Sequence, residues 1–254
     1  MRDDIATVVW KELREVRGGS GQGQRGLAGI ALVTLFMAVI IPFSAGTAKF
    51  GGVGVMAIGS LVAAAWVLTS VPDSFAGERD HRTLETLLAT RLPAAAILLG
   101  KLLASVVVAA ALGAAAIVLS VIAGNVGTLV HGDAGAGVSV PWLDIAAGIV
   151  LAVLVAFALS NVGILVALRA SSAMVAMREL GLGLAGLVFA ISFGLHSLPK
   201  GAASDLADVA ADIGSLSPWV LALGTAVVFA VLNVVLLAVT RARFTRPKLI
   251  RPQG

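Results

Sequence analysis

The sequence predicts an all-α, polytopic membrane protein with six transmembrane helices. Hydrophobic residues make up 59% of the 254 residues and charged residues only 13%. The mean hydropathy of +1.01 lies outside the range of soluble domains. The chain contains six apolar runs, and each has roughly the 20 residues or more that a helix needs to cross a ~30 Å hydrocarbon core. These runs cover residues 26–46, 51–72, 102–124, 142–168, 180–198 and 217–240.

The distribution of cations predicts the orientation of these runs. Of the 18 Lys and Arg residues, all but Lys49 and Lys200 lie in the N-terminal segment, in the second and fourth gaps between runs, or in the C-terminal tail. Under the positive-inside rule, both termini are then cytoplasmic and the protein is a multi-pass protein of the cell membrane. Cations at cytoplasmic edges attract anionic headgroups of the bilayer, so the basic composition does not indicate nucleic-acid binding. The absence of cysteine excludes disulfides and thiolate chemistry.

We interpret the chain as one transmembrane domain, 1–254, in which residues 1–25 form a cytoplasmic surface helix and turn and 26–254 form a six-span bundle. The apolar residues of the surface helix fall on one arc at helical spacing: Ile5, Val8, Val9, Leu13 and Val16. Lys11 faces away from this arc, and Trp10 lies at its border, where an indole favours the headgroup level. Glu12 falls inside the arc. Its carboxylate either rises to the headgroups or is buried against a cation of another cytoplasmic element, since an unpaired carboxylate there is costly.

The 73–101 gap carries the most informative cytoplasmic pattern. An apolar stripe at helical spacing consists of Leu84, Leu87, Leu88 and Leu92. A charged ridge beside it consists of Glu78, Arg82 and Glu85, and the order of Glu before Arg at four residues supports a helix. Pro93 closes the segment. We therefore predict a short cytoplasmic helix over 78–92, whose leucines pack on the ends of the spans and whose ridge faces solvent or a partner protein.

Two stretches resemble the membrane subunit of ABC-type exporters of the type-2 permease family. One is Glu78-Arg79-Asp80-His81-Arg82-Thr83-Leu84-Glu85-Thr86-Leu87-Leu88-Ala89-Thr90, followed by Gly100-Lys101 at the foot of the third run, and the other is Trp10-Lys11-Glu12-Leu13-Arg14-Glu15. The resemblance implies that 78–92 is a coupling helix that docks on a separate ATP-binding cassette subunit. The implied contact residues are Glu78, Arg82, Thr83, Leu84, Glu85, Leu87 and Leu88. It also implies two membrane subunits around one route, as a homodimer or a pair of related permeases.

The chain has no phosphate-loop motif of the Gly-x-x-x-x-Gly-Lys-Ser/Thr type, so ATP and Mg²⁺ are expected on the partner subunit, and neither an enzyme site nor a cofactor is expected here. Ionisable residues fall at the ends of the runs, which argues against an ion-coupled carrier. The three histidines show no metal-ligand spacing. Asn161 and Asn233 are predicted to hydrogen-bond between helices, although they are also candidates to line a route.

Small residues recur every four positions in the fourth run, at Gly148, Ala152, Ala156 and Ser160. Such a face lets helix backbones approach closely, which makes it a candidate homodimer seam. Residues 201–216 are predicted to form a short external amphipathic helix with an acidic face. The connection 169–179 either extends the docking surface or is a simple tight turn.

These patterns together predict the permease subunit of an ATP-driven exporter of an unknown substrate. One alternative is a haem-exporter B-like subunit for cytochrome c maturation, which Ile41-Pro42-Phe43 resembles. Another is a non-transporting membrane scaffold or assembly factor that uses the same ATPase contact.

Overall fold

The computed structural model describes most of the chain. The described residues are 2–18, 29, 32, 34–45, 47–77, 93–131, 140–196 and 218–243, and their regular structure is entirely helical. The predicted coupling helix over 78–92 and the predicted external helix over 201–216 lie outside the described residues.

The described elements follow the order of the apolar runs. They are α1 (Arg2–Gly18), a π turn (Phe36–Ile40) leading into α2 (Ile41–Ala45), α3 (Thr47–Pro72) with a π turn (Asp73–Gly77), α4 (Ala94–Val130), α5 (Trp142–Ala167), α6 (Ala173–His196) and α7 (Pro218–Arg243). Each π turn adjoins a proline, Pro42 or Pro72. Pro42 has no backbone N–H to donate and its ring crowds the preceding turn, so the widened turn before it is the local response.

Among the described residues, four helices are long and apolar enough to cross a membrane. Their apolar portions are Val53–Ala76, Ala95–Val130, Trp142–Ala167 and Leu223–Arg243, which correspond to the second, third, fourth and sixth predicted runs. By length and composition the chain is therefore a transmembrane protein that crosses more than once. The agreement is closest for the fourth run, predicted as 142–168. The count of six spans stays a prediction.

α4 is longer than the run that predicted it. It has 37 residues, or about 55 Å at 1.5 Å per residue, and it begins at Ala94, whereas the apolar run began at 102. Pro93 precedes it in extended backbone, and the Pro93 carbonyl accepts hydrogen bonds from the amides of Ala96 and Ile97 at 2.9 and 3.2 Å. Lys101 therefore lies inside the helix.

The centre of the fold consists of α3, α4 and α5. Two contacts give the relative direction of α3 and α5. A Cβ at Gly148 would lie 3.3 Å from Met56 Cα, and a Cβ at Gly163 would lie 3.0 Å from a Val71 side-chain methyl, so the residue numbers rise together along the two helices. These two helices are therefore parallel. This arrangement is expected of spans separated by one return crossing.

α4 is that return crossing. A Cβ at Gly113 would lie 2.8 Å from the carbonyl oxygen of Gly59, and Ser70 Oγ lies 3.1 Å from Ser105 Oγ. The α3 numbers rise while the α4 numbers fall, so α4 is antiparallel to α3. At Gly113 the two backbones approach so closely that any side chain would meet the α3 main chain.

The small-residue face of α5 packs inside the chain. Its members Gly148, Ala152, Ala156 and Ser160 are all buried. A Cβ at Gly113 of α4 would lie 3.2 Å from Ala152 Cβ, and one at Gly148 would lie 3.1 Å from an Ile117 methyl of α4. The close approach that these residues permit is therefore made by α4 and α3 of the same chain, instead of by a second copy as the candidate homodimer seam required.

α7 lies at the edge of the bundle against α5. Only 11% of its apolar window is buried, compared with 39% for each of the other three candidate spans. Asn233 Nδ2 donates to the carbonyl oxygen of Leu154 in α5 at 3.0 Å, which confirms the predicted hydrogen bond between helices. Asn161 differs, because its Nδ2 donates to Phe157 O within α5 at 2.8 Å. Its prediction was wrong: an amide on a helix reaches the carbonyl one turn back more easily than a neighbouring helix.

Candidate functional site

One end of the bundle gathers the parts that the cation pattern assigns to the cytoplasm. α3 and α5 end there and α4 begins there, as the directions of the three helices require. The short connection from Leu168 to Ser172 then leads into α6, and its Ala170 is buried in the same apolar cluster as Phe75 and Ala76. α1 lies against the start of α4. The end of the bundle therefore brings together segments that lie far apart in the sequence.

The apolar arc of α1 faces the bundle. Val8 is buried, and a Cβ at Gly100 would lie 2.5 Å from Val8 Cβ, so only a glycine admits α1 at this distance. Val16, two turns further along, packs against the main apolar cluster. Part of the arc that predicted a helix on the membrane surface is thus buried on protein.

Glu12 meets a cation of another helix, which is the second of the two interpretations that the sequence allowed. Lys101 Nζ lies 2.8 Å from Glu12 Oε1, and the exposed fractions of the two side chains are 3% and 13%. The two residues are 89 positions apart in the chain. A charge buried to this degree is stable only when it is paired and hydrogen-bonded.

Ser74, in the π turn that follows α3, completes the arrangement. Lys101 Nζ donates to the Ser74 carbonyl oxygen at 3.1 Å and to Ser74 Oγ at 3.0 Å, and Ser74 Oγ donates to Glu12 Oε2 at 3.4 Å. An ammonium group has three N–H donors, and its acceptors here include Glu12 and the two Ser74 oxygens. The ammonium also lies 5.6 Å from the centroid of the Phe75 ring, an attractive distance for a cation and an aromatic face. We call Glu12, Ser74, Phe75 and Lys101 the polar junction.

The other predicted residues of the surface helix face outwards. Lys11 pairs with Glu15 on the same helix at 3.1 Å and lies 3.5 Å from Glu12 Oε1. Its side chain is 44% exposed, and exposed pairs of this kind contribute little to stability. Trp10 is exposed, with the Arg14 guanidinium 5.1 Å from its ring. Of Trp10, Lys11 and Glu12, the structure brings only Glu12 into the polar junction.

The polar junction closes the base of the segment that holds the predicted coupling helix. Ser74 precedes residues 78–92 and Lys101 follows them, so the Lys101–Ser74 contact holds the two ends of this segment together. The seven residues predicted to bind a partner all fall in 78–92, outside the described residues. What the structure describes is the attachment of this segment to the bundle and to α1.

Sequence reasoning found Glu12 but missed the roles of Lys101 and Ser74. A carboxylate inside an apolar arc was a usable signal, because such a group needs a partner. Lys101 was interpreted as a residue at the membrane edge, although it lies seven positions inside α4. Ser74 carried no signal, since a hydroxyl has a partner in almost any environment and only the tertiary contact selects one.

The polar junction contains no thiol and no histidine, and its carboxylate and amine are paired with each other. Over the described ranges, no group of three or more His, Cys, Asp and Glu side chains forms a potential metal site. The arrangement can act as a structural link, since its ion pair and hydrogen bonds connect three segments of the chain. Comparisons with protein-family models, with curated proteins and with solved structures find no match.

Proposed function

We propose that the chain is the permease subunit of an ATP-driven exporter of the type-2 ABC permease class. In this proposal it crosses the cell membrane six times with both termini in the cytoplasm, and a separate subunit binds and hydrolyses ATP. One observation carries the proposal: the two stretches that resemble this class, 10–15 and 78–101, meet at the 2.8 Å contact of Glu12 with Lys101. A chance resemblance in two distant stretches gives no reason for them to touch.

The geometry supports a way to pass movement from a partner to the spans. α3 and α4 pack along their lengths, and the Lys101–Ser74 contacts at 3.0 and 3.1 Å hold their adjoining ends together. A partner that pulls on this segment would therefore pull on the adjoining ends of α3 and α4. In the proposal, the charged ridge of Glu78, Arg82 and Glu85 binds the ATP-binding subunit. The leucines Leu84, Leu87 and Leu88 seat the helix on the bundle, and Thr83 belongs to the same partner-binding helix.

A second membrane subunit, identical or related, would complete the route. The small-residue face of α5 is covered by α3 and α4, so the proposal places the second subunit on another surface. The bilayer covers the apolar surface that remains, since large side chains such as Leu223, Val228 and Phe189 are exposed and a soluble protein rarely exposes such a surface.

The test is to purify the tagged chain from native membranes in mild detergent and to identify the proteins that accompany it. We expect a stoichiometric subunit with a phosphate-loop motif. The Glu78→Lys/Glu85→Lys variant should lose this subunit and its ATP hydrolysis while it still inserts into the membrane. A matched control is Asp3→Lys/Glu15→Lys, which reverses two exposed charges on α1 and should keep the partner.

Two outcomes would contradict the proposal. One is the chain purifying without an ATP-binding subunit in several mild detergents, which would favour the scaffold interpretation. The other is a partner whose binding and ATP hydrolysis are unchanged in Glu78→Lys/Glu85→Lys, which would remove the coupling role from the ridge.

A further inference from the structure

We propose that Glu12, Lys101 and Ser74 are positioning residues that fasten α1 to both ends of the 73–101 segment, so that α1 moves together with this segment when the ATP-binding subunit acts. The inference rests on the proposed function and adds to it the route by which movement reaches α1. It makes α1 a moving part of the transporter instead of a passive anchor on the membrane.

The first argument is that each polar group of this set is supplied by a different element. Glu12 belongs to α1, Ser74 to the π turn after α3, and Lys101 to α4. The Lys101 ammonium contacts both of the others, and Ser74 Oγ also contacts Glu12. If any one element moved away, it would leave a buried charge with an incomplete set of partners, which is unfavourable in an apolar environment.

The second argument is the apolar packing directly beside these groups. Val8 of α1 lies one helical turn from Glu12 and fits against Gly100, the residue before Lys101. A Cβ at Gly100 would lie 2.5 Å from Val8 Cβ, so the two helices are in close contact at this point. Polar and apolar contacts therefore hold α1 at the same point.

The contrast with a second ion pair of α1 shows what is particular about this arrangement. Lys11 and Glu15 lie 3.1 Å apart, but both belong to α1 and both are well exposed. That pair links α1 only to itself. Glu15→Gln is therefore the matched control, because it removes a carboxylate from an ion pair on the same helix without touching the link to α4.

The experiment follows the position of α1 by distance measurements between two spin labels. The chain has no cysteine, so labels can be attached at Thr7→Cys on the exposed face of α1 and at Val150→Cys on α5 without any background. The distance is measured first in the chain alone and then in the complete complex, with and without MgATP and vanadate. The variants are Lys101→Met, the isosteric Glu12→Gln and the charge exchange Glu12→Lys/Lys101→Glu, beside the control Glu15→Gln.

In the chain alone we expect one narrow distance distribution, which broadens in Lys101→Met and in Glu12→Gln. The charge exchange should narrow it only in part, because a carboxylate at position 101 cannot donate to the Ser74 carbonyl oxygen. In the complex we expect the nucleotide to shift the distance. That shift should be lost in Lys101→Met while the partner still hydrolyses ATP, and Glu15→Gln should behave like the natural chain in both settings.

Two results would overturn the inference. Distributions in Lys101→Met and Glu12→Gln as narrow as the natural one would show that these groups do not hold α1. A nucleotide-dependent shift that survives in Lys101→Met would show that movement reaches α1 by another route. If no ATP-binding subunit is found, the proposed function fails and the transmission step fails with it. The label distances in the chain alone would still decide whether the three groups hold α1.

Discussion

A disulfide between α3 and α4 tests the arrangement on which the functional argument depends. Ser70 Oγ and Ser105 Oγ lie 3.1 Å apart, about one turn from Ser74 and Lys101 respectively. The double substitution Ser70→Cys/Ser105→Cys should form a disulfide readily, because a sulfur–sulfur bond of about 2 Å and the longer C–S bonds require only a small shift of the two helices.

The expected stabilisation can be estimated from the loop that the bond closes. The two residues are 35 positions apart, and closing a loop of this length constrains the unfolded chain by about 4 kcal/mol. The substitution also removes the hydrogen bond between the two hydroxyls, worth about 1 kcal/mol. The net gain in the free energy of unfolding should therefore be about 3 kcal/mol in the oxidised form and should disappear on reduction.

The assay uses two features of the sequence. The natural chain has no cysteine, and four tryptic sites lie between the two substituted positions: Arg79, Arg82, Arg91 and Lys101. After denaturation and tryptic cleavage, the two fragments should run together on a non-reducing gel and separate once reduced. Ser60→Cys/Ser105→Cys is the matched control, since Ser60 lies ten residues before Ser70, about 15 Å along α3. Equal crosslinking of both pairs, or of neither under mild oxidation, would refute the antiparallel register of α3 and α4.

Three further predictions concern stability, each measured by thermal or denaturant unfolding in detergent. Lys101→Met should lower the free energy of unfolding by about 3 kcal/mol, because it leaves Glu12 buried without its main partner. The double variant Glu12→Gln/Lys101→Met should recover part of this loss. Strictly additive effects of the two substitutions would contradict the pairing. Gly113→Ala should destabilise by about 1–3 kcal/mol, since its Cβ would lie 2.8 Å from a carbonyl oxygen of α3. The same change at Gly186, where no atom of the described residues lies within 4 Å of the built Cβ, should raise the free energy of unfolding by up to about 1 kcal/mol. Equal effects at the two glycines would contradict the packing. Asn233→Leu should lower the free energy of unfolding by less than about 1 kcal/mol. It removes the hydrogen bond to α5, but it also removes the buried Asn233 Oδ1 acceptor, which has no partner among the described residues. A much larger loss would show that the hydrogen bond matters more than the geometry indicates.

Local sequence was sufficient wherever a single segment carried the information. The fourth run, predicted as 142–168, is the helix Trp142–Ala167, because its length and composition depend on nothing outside the run. Likewise, Glu12 inside an apolar arc showed that a partner was needed. The start of α4 was harder to predict from the sequence, since a buried lysine in the first turns resembles a residue at the edge of a span until its partner is known.

Two features were decided only by the tertiary structure. The spacing of Gly148, Ala152, Ala156 and Ser160 specifies a face that tolerates close approach, but any helix can use such a face, and here α3 and α4 of the same chain do. The partner of Glu12 lies 89 residues away, and that choice depends on the register of α1 against α4, which is set where Val8 fits against Gly100. Periodicity and composition determined the helices and their membrane character, because both are properties of contiguous residues. Contacts between helices depend on how whole faces fit together, and that information exists only once the chain has folded.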